Sequence, residues 1–236
     1  MTTTPPIDVA PGTIVIFSDL TCPFAHIAVH RLFTTRQRLG LTDTVRFDHH
    51  SFPIELLNGT PGTRHGSDSE IPALGHLEPD AGWQLWQRPD FEYPNTVLHT
   101  FEAIHAAKRQ GLRQSEELDR ALRRAFWADS ATIQLHATII DIARLVDGLD
   151  ADLLAQHLAD GIGRREVFAD LATARSDIVS MSPHLFLTDG TNVANPGLEV
   201  HWQGEWAKGF PVVDNDNPTV YEHILLSAVE PEPAAP

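Results

Sequence analysis

The chain holds a single cysteine and few basic residues: 17 Lys and Arg stand against 32 Asp and Glu, for a net charge of −15. One cysteine permits no internal disulfide. An acidic balance this strong argues against a nucleic-acid footprint, which needs a basic patch, so no nucleic-acid partner is expected. No apolar stretch reaches membrane-spanning length, which excludes a membrane partner at this level of reading. The opening Met1-Thr2-Thr3-Thr4-Pro5-Pro6 lacks the charged and apolar regions of a secretory signal. The expectation is a cytoplasmic protein.

What is present is an apolar fraction of 42% in 236 residues, enough to bury a core in one large domain or one domain with an insertion. Residues 1–12 are rich in Thr and Pro, and residues 230–236 in Pro, Glu and Ala; both are expected to be disordered. Ile14-Val15-Ile16-Phe17 is an apolar run rich in β-branched residues, the pattern of a buried strand. A helix is predicted over 23–39, with Ala25, Ala28, Val29 and Leu32 on one face and Gly40 as its cap. Alternation over 44–49 predicts a second strand, so the chain opens strand–helix–strand, the start of a parallel sheet. Residues 55–90, broken by Gly59, Pro61, Gly62, Gly66 and Pro72, are expected to be mostly loop. Helical patterns fill 95–175, including a nearly wholly buried helix through Ile133, Ile140, Ile142 and Leu145 to Gly148. The Asp189-Gly190 pair between Leu185-Phe186-Leu187 and Thr191-Asn192-Val193 predicts a hairpin, and Asn217-Pro218 the start of a last helix.

Cys22 falls where the first strand hands over to the first helix, with Pro23 at the first helical position. A lone cysteine is most often a small buried hydrophobe. Unpaired N–H groups and the positive dipole end at a helix start favour thiolate instead, which makes Cys22 a candidate nucleophile with a lowered pKa. His26 and His30 follow at four-residue steps on one stripe of the helix, where His26 either relays a proton or is simply a helix histidine. The same spacing suits a metal, but no Cys or carboxylate cluster completes four ligands, so no metal is expected. Asp19 is read as closing the strand-to-helix turn.

The strand followed by Cys22-Pro23-Phe24-Ala25 at the head of a helix resembles the thioredoxin fold, and in particular the DsbA-like family, which also holds the kappa-class glutathione transferases and hydroxychromene-carboxylate isomerases. The resemblance implies an α/β architecture: a thioredoxin-like domain over 13–54 and 177–229 with an inserted loop and all-helical subdomain over 55–176. It implies that Ser182-Pro183, just before an apolar strand, is the loop with a cis proline that faces the cysteine. Ser182 and His184 would then flank the thiol, and Pro23, Phe24, Ser182 and Pro183 are expected to bind the substrate. Trp83 and Trp86 would contribute an apolar lid, although large aromatics more commonly anchor a loop to the body.

Members of the family that exchange disulfides carry a second cysteine where this chain has Ala25. Without it a mixed disulfide has no internal thiol to resolve it. The first expectation is therefore an isomerase. Cys22 adds reversibly to a double bond of a conjugated small molecule or carrier-bound acyl chain, with His26 or His184 relaying the proton. No cofactor is required in that reading; a low-molecular-weight thiol is the one helper that stays open. The second expectation is a monothiol oxidoreductase or thiol transferase resolved from outside, and the third a non-catalytic binding module. Whether two copies pair as a homodimer is left open.

Overall fold

The computed structural model describes residues 7–205 and 209–229; the expected tail at 230–236 lies outside the described residues. The fold is thioredoxin-like with a helical insertion. Strand β1 (Thr13–Ser18) is buried along its whole length. It lies at the centre of a sheet of order β2-β1-β3-β4, with β2 (Arg46–Ser51) parallel to it and β3 (His184–Phe186) antiparallel. Strand β4 (Asn192–Ala194) returns antiparallel to β3. The turn between them runs through Gly190 at φ +84°, the conformation for which Asp-Gly is suited.

Helix α1 (Pro23–Arg38) crosses from β1 to β2 and buries Ala28, Val29 and Leu32 against Ile14, Ile16 and Leu185. Helix α9 (Val220–Val229) closes the same cluster through Tyr221, Ile224 and Leu225. Val15, Phe17 and Phe186 form a separate cluster with Val9, so the lead-in expected to be disordered is ordered and partly buried from Ile7 onward.

Between β2 and β3 the chain builds α2 (Ile54–Leu57), α3 (Arg64–Leu74), α4 (Leu98–Ala107), α5 (Leu112–Asp129), α6 (His136–Ala143), α7 (Ala151–Ala159) and α8 (Arg164–Ala174). Helix α3 corrects the expectation of a loop. Thr63 caps it by accepting from the Gly66 N–H at 3.1 Å, and Pro72 lies inside it near its end. Helix α6 is shorter than the pattern predicted, and Leu145, expected inside, is 84% exposed. The insertion's core joins Phe101, Leu118, Leu122, Phe126 and Trp127, and it takes in Leu20 from the turn before Cys22. An antiparallel pair that the sequence pattern did not predict, β5 (Leu198–Gln203) with β6 (Phe210–Asp216), packs against α3.

Candidate functional site

The turn between β1 and α1 is fixed from three directions. Asp19 is 1% exposed. Its Oδ1 accepts from the Thr21 N–H and hydroxyl, both at 2.7 Å, and its Oδ2 accepts from the Ile54 N–H at 3.0 Å. From the insertion, Arg123 on α5 donates to the Asp19 carbonyl and to Ser18 Oγ, each at 2.7 Å, and Trp127 Nε1 donates to the Leu20 carbonyl at 3.0 Å. From the sheet, Ser182 Oγ accepts from the Asp19 N–H at 2.9 Å. Asp119, Arg123 and Trp127 stand four residues apart on α5 and so share a face. The amino-acid pattern gave no sign of this clamp, since Asp119 and Arg123 four residues apart on a helix read as a solvent-facing pair.

The Ser182–Pro183 bond is cis, as expected from the resemblance. Cys22 is the N-cap of α1 and Pro23 occupies the first turn. Cys22 Sγ donates to the Ser182 carbonyl oxygen at 3.2 Å, so the two marks read from the sequence meet. The thiol is 6% exposed. Burial pushes its pKa up from 9.0 to about 12, and the hydrogen bond at Ser182 offsets only part of the rise. That corrects the expectation of a lowered pKa: at this helix start desolvation outweighs the helix terminus, and the sulfur keeps its proton at neutral pH.

His26 and His184 both direct ring nitrogens to partners other than the sulfur. His26 is buried with its ring between Trp83 and Trp127, at centroid distances of 4.6 and 5.8 Å, and Nε2 donates to the Gly82 carbonyl at 3.3 Å. Burial, with the charge of Arg123 behind it, lowers its pKa to about 3. It is neutral at physiological pH and turned toward the insertion. His184 has both ring nitrogens engaged: Nδ1 accepts from the Ser180 N–H at 3.2 Å, which leaves the proton on Nε2 for Asn192 Oδ1 at 3.0 Å. Neither geometry provides the relay that was expected. Trp86 is 5% exposed and packs on Tyr93 and Phe126, so it anchors the loop instead of serving as a lid. Trp83 is half-buried against His26. Among the described residues there is no group of His, Cys, Asp or Glu placed to hold a metal ion.

Phe24, next to Pro23, is half-buried in a cluster with Leu74, Ala73 and Val213. Ala73 and Val213 also line a groove of about 730 Å³ between α3 and β6, together with Pro72, Phe210, Pro211 and Val212. Its wall on β6 carries no charged side chain. Glu70, on α3, has its carboxyl half-buried beside this region and makes no hydrogen bond or ion pair among the described residues. No cue in the amino-acid pattern pointed to it, because the segment read as loop.

A family model of the DSBA-like thioredoxin domain matches residues 13–197. The chain belongs to the DSBA-like thioredoxin family. The match runs from β1 through the insertion and the cis-proline loop to the residue before β5. No curated protein sequence matches the chain. Among solved structures, a probable DsbA oxidoreductase from Streptomyces coelicolor is similar in fold, with a TM-score of 0.62 at 19% identity over 94% of this chain and 92% of that one. Among the described residues no helix is long and apolar enough to cross a membrane.

Proposed function

We propose that this DSBA-like chain is a single-thiol enzyme that isomerises a conjugated double bond of a small molecule or carrier-bound acyl chain from cis to trans. The observation that carries the reading is the site itself. The only cysteine donates to the carbonyl before a cis proline, and buried Ala25 stands where a resolving thiol would be. The electron and atom balance is closed without an oxidant. As the S–H proton leaves, sulfur forms a bond to the β-carbon of the unsaturated acyl group, and the π electrons move onto the carbonyl oxygen as an enolate. The former double bond now rotates. The enolate then re-forms the double bond, the S–C bond breaks, and the sulfur takes a proton back. The groove between α3 and β6 shares Ala73 and Val213 with the Phe24 cluster, and its size and mainly apolar wall, with His65, Ser69 and His76 as its polar members, suit such a chain.

The second reading is a monothiol oxidoreductase, supported by the family and by the DsbA oxidoreductase fold neighbour. There the Cys22 thiolate attacks a disulfide, one thiolate leaves, and an external thiol displaces Cys22 from the mixed disulfide. A thiol with pKa near 12 ionises little at neutral pH, so in either cycle a base must take its proton as sulfur attacks and return it as sulfur leaves. What separates the two readings is Ala25, which leaves the mixed disulfide without an internal thiol to resolve it.

The test offers the protein a short cis-enoyl thioester and, separately, a glutathione-type disulfide with excess thiol. Cis–trans conversion by the wild type and none by Cys22→Ser is the expected result. Disulfide turnover without conversion of any enoyl substrate would transfer the assignment to the oxidoreductase.

A further inference from the structure

We infer that Glu70 is the carboxylate that accepts the Cys22 thiol proton when sulfur attacks and returns it when sulfur leaves. The inference rests on the reading of Cys22 as nucleophile and names the base that reading requires. Placement comes from the course of α3 along α1. At its approach, a Cβ on Gly62 would lie 3.9 Å from Thr21 Oγ1. Near its end, Ala73 and Leu74 pack with Phe24 and Ile27. Glu70 stands between these two contacts, one turn before Leu74, and Cys22 stands between Thr21 and Phe24 on the other side. The negative charge of an ionised Glu70 is one of the influences that oppose ionisation of the Cys22 thiol, behind burial.

Apart from His65 and His76, which line the groove itself, the other proton-handling groups on the elements around the sulfur are already engaged. His26 donates to Gly82, and His184 is held by Ser180 and Asn192. Both oxygens of Asp19 are occupied by Thr21 and Ile54. The Tyr93 hydroxyl shares a hydrogen bond with Ser67 Oγ at 2.7 Å. On the side of α1, Arg31 is paired with Glu78 and Asp216, and His30 lies 3.8 Å from Glu78. The β6 wall of the groove adds no charge. Of these groups Glu70 is the one with no partner among the described residues, and burial raises its pKa from 4.5 to about 8. A carboxyl that titrates there can both take and give a proton near neutral pH, where an ordinary carboxylate only accepts weakly.

In the step itself the S–H bond breaks and the proton passes to a Glu70 carboxylate oxygen. The sulfur lone pair forms the S–C bond. On elimination the Glu70 proton returns to the departing sulfur, and the enzyme ends as it began.

The experiment measures the rate of Cys22 alkylation by iodoacetamide, read by intact mass on the full chain from about pH 6 to 10, a range that brackets the ordinary thiol pKa. Wild type, Glu70→Gln and Glu70→Asp are compared, with circular dichroism melts to confirm folding. The wild-type rate should rise through an inflection near pH 8. Glu70→Gln should lose the inflection and react on the order of a hundredfold more slowly there, the usual scale for a lost general base. Glu70→Asp, which keeps a retracted carboxyl, should keep the inflection at a reduced rate. The sign is decisive. A carboxylate that acts only as a neighbouring negative charge suppresses the thiolate, so its removal would speed alkylation. A rate in Glu70→Gln equal to or above wild type therefore overturns the inference and leaves Cys22 as nucleophile. If Glu70→Gln does not fold, a Glu70→Asp rate equal to wild type does the same. A folded wild type that never reacts would overturn the Cys22 reading itself.

Discussion

Two buried polar regions lie on either side of the end of β2, and they treat burial in opposite ways. Beside β2, Asp170 of α8 has a donor for each oxygen: His50 Nδ1 at 2.7 Å on Oδ1, and the Ser51 N–H at 2.7 Å with His105 Nε2 at 2.8 Å on Oδ2. Burial alone would raise its pKa, but the bonds from His105 and His50 outweigh that and hold the carboxyl well below its usual range. Beside Cys22 the scaffold is as fully bonded, through Asp19, Arg123 and Ser182, yet the reactive groups are not. The thiol has one carbonyl acceptor, Glu70 has no partner among the described residues, and burial moves both toward their protonated forms. Compensation marks the first region as a joint between sheet and insertion. Its absence at Cys22 and Glu70 is the contrast on which the proposed proton transfer rests.

The largest effect should come from breaking the joint. Asp170→Asn removes charge-assisted hydrogen bonds to two histidines and should cost about 3 kcal/mol in urea unfolding at pH 7. A carboxyl with a lowered folded pKa contributes stability that is present above its unfolded value, about 3.9, and is lost as pH falls below it. Wild type should therefore lose this contribution on acidification below that value, and Asp170→Asn should lack it. A variant as stable as wild type would remove the contrast between the two regions.

His26→Phe sharpens the other side. With its folded pKa lowered from 6.5 to about 3, the unfolded chain takes up a proton first as pH falls, so the histidine costs stability below pH 6.5. Phe avoids that cost, and between pH 7 and 5 the variant should lose about 2 kcal/mol less than wild type. Parallel stability curves for the two proteins would show that His26 is not held neutral.

The smallest effect is expected at Ser182→Ala. It removes the acceptor for the Asp19 N–H, worth about 1 kcal/mol, while the backbone carbonyl that faces Cys22 remains. Thermal unfolding should register the loss and the alkylation rate of Cys22 should hardly change. A large fall in reactivity would give the hydroxyl a part in the chemistry.

Much of this comparison was legible in the sequence on one side only. The motif at Cys22 and the Ser182-Pro183 dipeptide are local signals, and local residues specify a strand end, a helix start and a tight turn. Glu70 was not legible, because Gly62, Gly66 and Pro72 disguise α3 as loop, and a carboxylate in a loop carries no mark of desolvation. The clamp of Arg123 and Trp127 was hidden for a related reason. A charged residue on an amphipathic helix reads as solvent-facing until the chain it reaches, here residues 18–20, is brought against it.

By itself, then, the sequence determined the order of strand, helix and hairpin and the place of the only cysteine, since these follow from periodicity and turn chemistry within a few residues. It also excluded an internal resolving thiol, by putting Ala at position 25. The ionisation of that cysteine was decided by the tertiary structure alone. Helix-start physics argues for a thiolate. The packing of Leu20 into the insertion and of α3 across α1 removes water from the sulfur, and the cost of desolvating a charge outweighs the pull of the helix start.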